Sequence, residues 1–104
     1  MSEVKLFLDY KCYPIWVYDE AGFLEENDLP DELKKDKDLD EKLTHLQDKY
    51  DNLFTDTEIE FRYNGFNDEK EKEKEKFLHE FTEIQKELDE KLKNKYRVVN
   101  KILI

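Results

Sequence analysis

The chain has 104 residues, 38% of them apolar and 44% charged, with a formal net charge of −10. Its length suits one domain, expected over residues 1–104, with room for a modest core. The acidic balance argues against direct binding to nucleic acid or to an anionic membrane, and 7 Phe, 6 Tyr and 1 Trp argue against a disordered chain.

Val4 to Tyr10 alternates, with Val4, Leu6, Leu8 and Tyr10 on one side, which predicts a half-buried strand. Tyr13 to Tyr18 is rich in aromatic and β-branched residues and predicts a second strand, with Pro14 near its start. Asp19 to Gly22 reads as a turn, after which Phe23 and Leu24 return as a short third strand. Residues 25–37 read as a loop with at most one helical turn opened by Leu29 and Pro30. Asp38 with Glu41 resembles a capping box. Behind it Leu39, Leu43, Leu46, Tyr50 and Leu53 form one apolar stripe on a helix running to about Phe54.

Glu58 to Tyr63 alternates again and predicts a fourth strand, followed by an Asn64-Gly65 turn. Asn67 is a suitable cap for a second helix running to about Asn94, with Phe77, Phe81, Ile84, Leu88 and Leu92 as its stripe. Residues 69–76 repeat Glu-Lys four times and carry no apolar side chain, so they read as a solvated helical extension. Tyr96 to Ile104 predicts a last strand. The order β-β-β-α-β-α-β predicts an α+β fold: an antiparallel or mixed sheet of four to five strands with both helices packed on one face.

Candidate chemistry is sparse. Asp36 to Glu41 begins like a calcium loop, but the sixth and twelfth positions hold Glu41 and Gln47 instead of Gly and Glu. His45 and His79 fall on different helices without metal-ligand spacing. Cys12 lies between two strands with Lys11 as its only adjacent cation, so it reads as an ordinary thiol, and a single cysteine permits no internal disulfide. Only two glycines occur, too few for a phosphate-binding loop. The expectation is a non-enzymatic protein with no metal and no cofactor. No basic-then-apolar leader and no long apolar run appears, so a cytoplasmic setting is expected.

The remaining signals concern surfaces. Residues 19–41 carry eleven acids against three lysines, a local net charge of −8. Such an asymmetric field speeds encounter with a basic partner; the plain alternative is that acids gather in a solvated loop and helix start. If Val4, Leu6, Leu8, Ile15 and Val17 face the helices, then Phe7, Trp16 and Tyr18 face away, joined by Arg97, Val99 and Lys101 or their neighbours. Large aromatics beside charge are typical of contact surfaces. The expected partner-binding set is therefore Asp19, Glu20, Glu25, Glu26, Asp28, Asp31 and Glu32 with Phe7, Trp16 and Tyr18.

The stretch Lys5-Leu6-Phe7-Leu8-Asp9-Tyr10-Lys11-Cys12-Tyr13-Pro14-Ile15-Trp16-Val17-Tyr18-Asp19-Glu20, with Asn27-Asp28-Leu29-Pro30, looks like that of small proteins of Gram-positive bacteria. In size, acidity and α+β organisation the chain resembles the immunity proteins of polymorphic toxin systems. That resemblance implies a cytoplasmic inhibitor that plugs or masks a toxin, often a basic nuclease, and brings no functional residue with it. Two other readings stay open: a nucleic-acid mimic that blocks a DNA-binding protein, and a structural protein that pairs with itself through its aromatic sheet face.

Overall fold

A computed structural model describes residues 1–66 and 68–102. The chain runs through β1 (Ser2–Leu6), β2 (Ile15–Tyr18), β3 (Leu24–Glu26), a 3-10 turn (Asp31–Leu33), α1 (Lys37–Asp51), β4 (Phe54–Asp56), β5 (Phe61–Tyr63), a second 3-10 turn (Asp68–Lys70), α2 (Glu71–Lys91) and β6 (Tyr96–Asn100). The fold is α+β. One sheet has the order β3-β2-β1-β6, and β4 with β5 forms a separate two-stranded hairpin. β1 pairs antiparallel with β2 and parallel with β6, so the larger sheet is mixed.

The helices pack on one face of that sheet because three apolar stripes converge there. Val4, Leu6, Ile15 and Val17 come from the strands, Leu39, Leu43 and Leu46 from α1, and Phe77, Phe81, Ile84, Leu88 and Leu92 from α2; all are buried. The period of two in the strands and of 3.6 in the helices meets in a single cluster. No polar or charged side chain is buried among the described residues, so the whole charge load lies at the surface. The helices run antiparallel: Asp36, before α1, pairs with Lys91 at the end of α2, and Lys42 Nζ lies 3.5 Å from Glu87 Oε1 one turn further in.

Several boundaries differ from the sequence expectation. The first strand ends at Leu6, not Tyr10, since the chain turns through Lys11 at φ 57. Phe7 N still donates to Pro14 O at 3.1 Å, the last link of the β1–β2 ladder. The cap of α1 is Asp36, whose Oδ1 accepts from Leu39 N at 3.1 Å; Asp38 lies inside the first turn, where its charge favours the positive helix end. Helix α1 stops at Asp51, and Phe54 belongs to a strand. Asn67 lies outside the described residues, as do Leu103 and Ile104 at the end of the expected last strand.

The expected strand 58–63 does not join the main sheet. Its last three residues pair with Phe54–Asp56, in the register Phe54↔Tyr63 and Asp56↔Phe61. A four-residue loop closes this hairpin through Thr57 N to Glu60 O at 2.7 Å. Local pairing across a short loop costs less chain entropy than a crossing to the main sheet.

Candidate functional site

The side of the main sheet away from the helices is built by strand alternation. In register, Glu3 faces Tyr18 and Arg97, while Lys5 faces Trp16 and Val99. Because Val4, Leu6, Ile15 and Val17 are buried, these neighbours point outward. Trp16 is half-buried; its Nε1 donates to Phe7 O at 3.0 Å, and its ring meets that of exposed Phe7 edge-on at 6.2 Å. Lys5 Nζ sits 4.4 Å from the Tyr18 ring centroid, a cation–π contact, and 3.9 Å from Glu3. Leu24 pairs with Tyr18 and extends this face to the β2–β3 turn, where Phe23 is 71% exposed.

The acidic segment divides into several environments. Asp19 holds the β2–β3 turn: its Oδ1 accepts from Ala21 N and Phe23 N, both at 2.9 Å, and Gly22 closes that turn at φ 88. Glu20 stands exposed, 3.8 Å from the amino terminus. Glu26 pairs with buried Val17 and so turns to the helix side, where Lys34 Nζ bridges it at 2.9 Å and Asp31 at 3.2 Å. Those two carboxylates, Glu26 first, raise the Lys34 ammonium well above its ordinary pKa. Asp28 Oδ1 accepts from Leu29 N at 2.7 Å and shapes the bend before the 3-10 turn. Burial first and the nearby Glu32 carboxylate second push the Tyr96 hydroxyl up to about 12. Glu25, exposed in β3, has no cation within ion-pair distance among the described residues. Of the seven acids, Glu20 meets only the amino terminus and Glu25 makes no ion pair among the described residues; Glu26 and Asp31 meet Lys34 on the helix side, and Glu25 acts with Asp31 and Glu32 on the Tyr96 hydroxyl.

A second aromatic surface escaped sequence reasoning. The rings of Tyr10, Tyr50, Phe54, Phe61 and Tyr63 contact one another around the β4–β5 hairpin. Their centroid distances include 4.6 Å for Tyr10–Phe54, 5.0 Å for Tyr10–Phe61 and 4.9 Å for Phe54–Tyr63. Phe61 is 59% exposed, and Ile59 in the hairpin loop is 96% exposed. The alternation of Ile59, Phe61 and Tyr63 was visible in the sequence. That these rings gather with Tyr10 and Tyr50 was not, since it depends on the chain turning at Lys11 and on Phe54 leaving the helix.

The candidates for chemistry stay apart. Burial, with Asp9 and Asp51 nearby, pushes the Cys12 thiol above its ordinary pKa, the opposite of an activated thiolate. His45 and His79, on different helices, line one groove of about 630 Å³ between α1 and α2. His79 Nε2 lies 3.7 Å from Glu83 Oε1 there, but no group of three potential metal ligands converges among the described residues. Two carboxylates of the supposed calcium loop are occupied: Asp36 caps α1 and pairs with Lys91, and Asp40 Oδ1 accepts the Tyr13 hydroxyl at 2.8 Å. No helix among the described residues is long and apolar enough to cross a membrane.

Fold and surface together define a small acidic α+β protein with helices on one sheet face and aromatic side chains on the other. Residues 2–101 match the family described as Serratia CdiI immunity protein-like, and the chain belongs to that family. No curated protein matches it.

Proposed function

We propose that this chain is a cytoplasmic immunity protein that neutralises a basic toxin by covering its working surface, without chemistry of its own. The match to an immunity protein-like family over nearly the whole chain carries the reading. The contact surface in this proposal is the outer sheet face with Phe7, Trp16, Tyr18 and Leu24, with exposed Glu20 and Glu25 at its β3 edge. Rigid aromatics supply contact area at low entropic cost, and exposed acids at the edge steer a cationic partner. A nuclease fits such a partner, because the cations that hold substrate phosphates would meet carboxylates instead. A net charge of −10 works against pairing of this face with a second copy.

The test takes the protein encoded next to this chain's gene as the candidate toxin. Co-expression with this chain should restore growth, and the purified pair should form a complex. Trp16→Ala should retain the fold and weaken the complex at least tenfold, as expected for an interface anchor. Glu20→Gln with Glu25→Gln should slow association several-fold at low salt and leave melting unchanged. Absence of any complex with that toxin would sink the proposal. Intact binding by Trp16→Ala would move the site elsewhere on the molecule.

A further inference from the structure

The β4–β5 hairpin exposes more apolar surface than its own folding requires. Its loop residue Ile59 is 96% exposed, the most exposed large apolar side chain among the described residues, and Phe61 is 59% exposed, on a part of the molecule separate from the exposed Phe7, Phe23 and Leu24. Isolated exposed apolar residues need no explanation, but a contiguous group rimmed by charge marks a contact site. Here the rim is acidic: Asp56, Glu58 and Glu60 lie on the hairpin, with Arg62 against Glu60 at 3.4 Å.

The hairpin already shows which chemistry it accepts. Lys11 Nζ lies 5.5 Å from the Tyr10 ring centroid and 3.9 Å from Asp56 Oδ2, while the Tyr10 hydroxyl donates to the same carboxylate at 3.0 Å. An ammonium therefore rests between an aromatic face and a carboxylate, and both ion-pair partners are substantially exposed. Aromatic faces and carboxylates attract cations together, more strongly once water is excluded. A second copy of this chain is the wrong occupant, since its charge has the same sign.

We infer that the β4–β5 hairpin, with Tyr10, is a second contact surface for the same toxin, taking a Lys- or Arg-bearing segment of it. The inference rests on the immunity reading above and adds to it a separate site with defined chemistry. Ile59 and Phe61 supply the apolar contact. Glu58 and Glu60 pair with the partner's cations, and the edge-to-face rings of Tyr10 and Phe61 line the place where they sit.

The experiment measures binding of the same candidate toxin to three variants by surface plasmon resonance, with hydrogen exchange of the complex. Glu58→Lys with Glu60→Lys should slow association at least fivefold at low salt, the difference shrinking as salt rises. Phe61→Ala should weaken the complex at least tenfold. Should Phe61→Ala loosen the hairpin, Ile59→Ala decides, because a side chain so exposed contributes nothing to folding; it should weaken binding at least threefold. Amides of residues 54–63 should exchange more slowly in the complex. If the lysine and Ile59 variants bind within twofold of wild type and residues 54–63 gain no protection, the hairpin is not a contact surface, while the immunity reading stands. If the toxin binds no form of the chain, the immunity reading falls and this inference falls with it.

Discussion

Replacing Asn27 by alanine should cost far more than its surface position suggests. Strand β3 ends at Glu26, which pairs with Val17, and leaves the start of the β2 edge uncovered. Asn27 substitutes for the missing strand. Its Oδ1 accepts from Tyr13 N at 3.0 Å, and its Nδ2 donates to Tyr13 O at 2.6 Å and to Ile15 O at 2.8 Å. Asn27→Ala leaves three partly buried backbone groups unpaired. At about 0.5–1.5 kcal/mol per bond the loss is about 1.5–4.5 kcal/mol, and partial access of water favours about 2 kcal/mol. For a domain of this size that lowers the melting temperature by about 8–16 °C.

Thermal melts followed by circular dichroism give the number, and Asn27→Asp tests the cause. A carboxylate there would face two carbonyl oxygens, so its folded-state pKa would be raised above the unfolded value. An acid with a raised pKa destabilises most when ionised. The variant should therefore be less stable than Asn27→Ala at pH 7 and regain stability as the pH falls below that raised pKa. Melting of Asn27→Ala within 2 °C of wild type, or an Asn27→Asp variant that weakens on mild acidification relative to wild type, would refute the bonding argument.

Leu46→Ala and Phe81→Ala, each at a side chain 1% exposed, should each cost about 2–5 kcal/mol in urea titrations, the general cost of large-to-small core changes. Asp36 caps α1 and ties it to Lys91, and those two bonds, Lys91 first, hold its carboxyl below the ordinary value. A depressed carboxyl stabilises above its unfolded pKa and loses that contribution as the pH falls through the folded one. Asp36→Asn should keep the cap and flatten the loss of stability below about pH 4, as seen in melts from pH 7 to 2, whereas Asp36→Ala should also lose about 0.5–2 kcal/mol at pH 7.

The core was legible because it obeys simple periods. Val4, Leu6, Ile15 and Val17 alternate, and Leu39 to Leu46 and Phe77 to Leu92 follow the helical stripe, so burial could be read from spacing. The hairpin was hidden because Phe54 continues the helical stripe from Tyr50 and Leu53; only the ending of α1 at Asp51 frees it to pair with Tyr63. The acidic segment read as one field because sequence shows charge but not bonds. Glu26 and Glu32 look the same as Glu20 and Glu25 until Lys34, eight residues from Glu26, and Tyr96, far along the chain from Glu32, are seen beside them. Asn27 carried no signal at all, since its role depends on where β3 stops.

The separation of charge from core bears on why so acidic a surface is kept. A net charge of −10 repels itself and works against compaction. Folding does not need it: the core contains no charged side chain among the described residues, and the surface ion pairs each contribute little. The unpaired acids therefore oppose stability slightly and have to be explained by what they meet. Glu20 and Glu25 lie at the β3 edge of the main sheet and meet no side-chain cation among the described residues, and Glu58 lies at the tip of the hairpin, while Asp19, Glu26, Asp28 and Asp36 are tied up in turns, caps and bridges. Substitutions at these three positions should then change partner choice and association rate without changing melting, whereas substitutions at Asp19, Asn27 or Asp36 should do the reverse. Specificity can diversify across such a family while the fold stays constant, because the residues that set each lie on different faces.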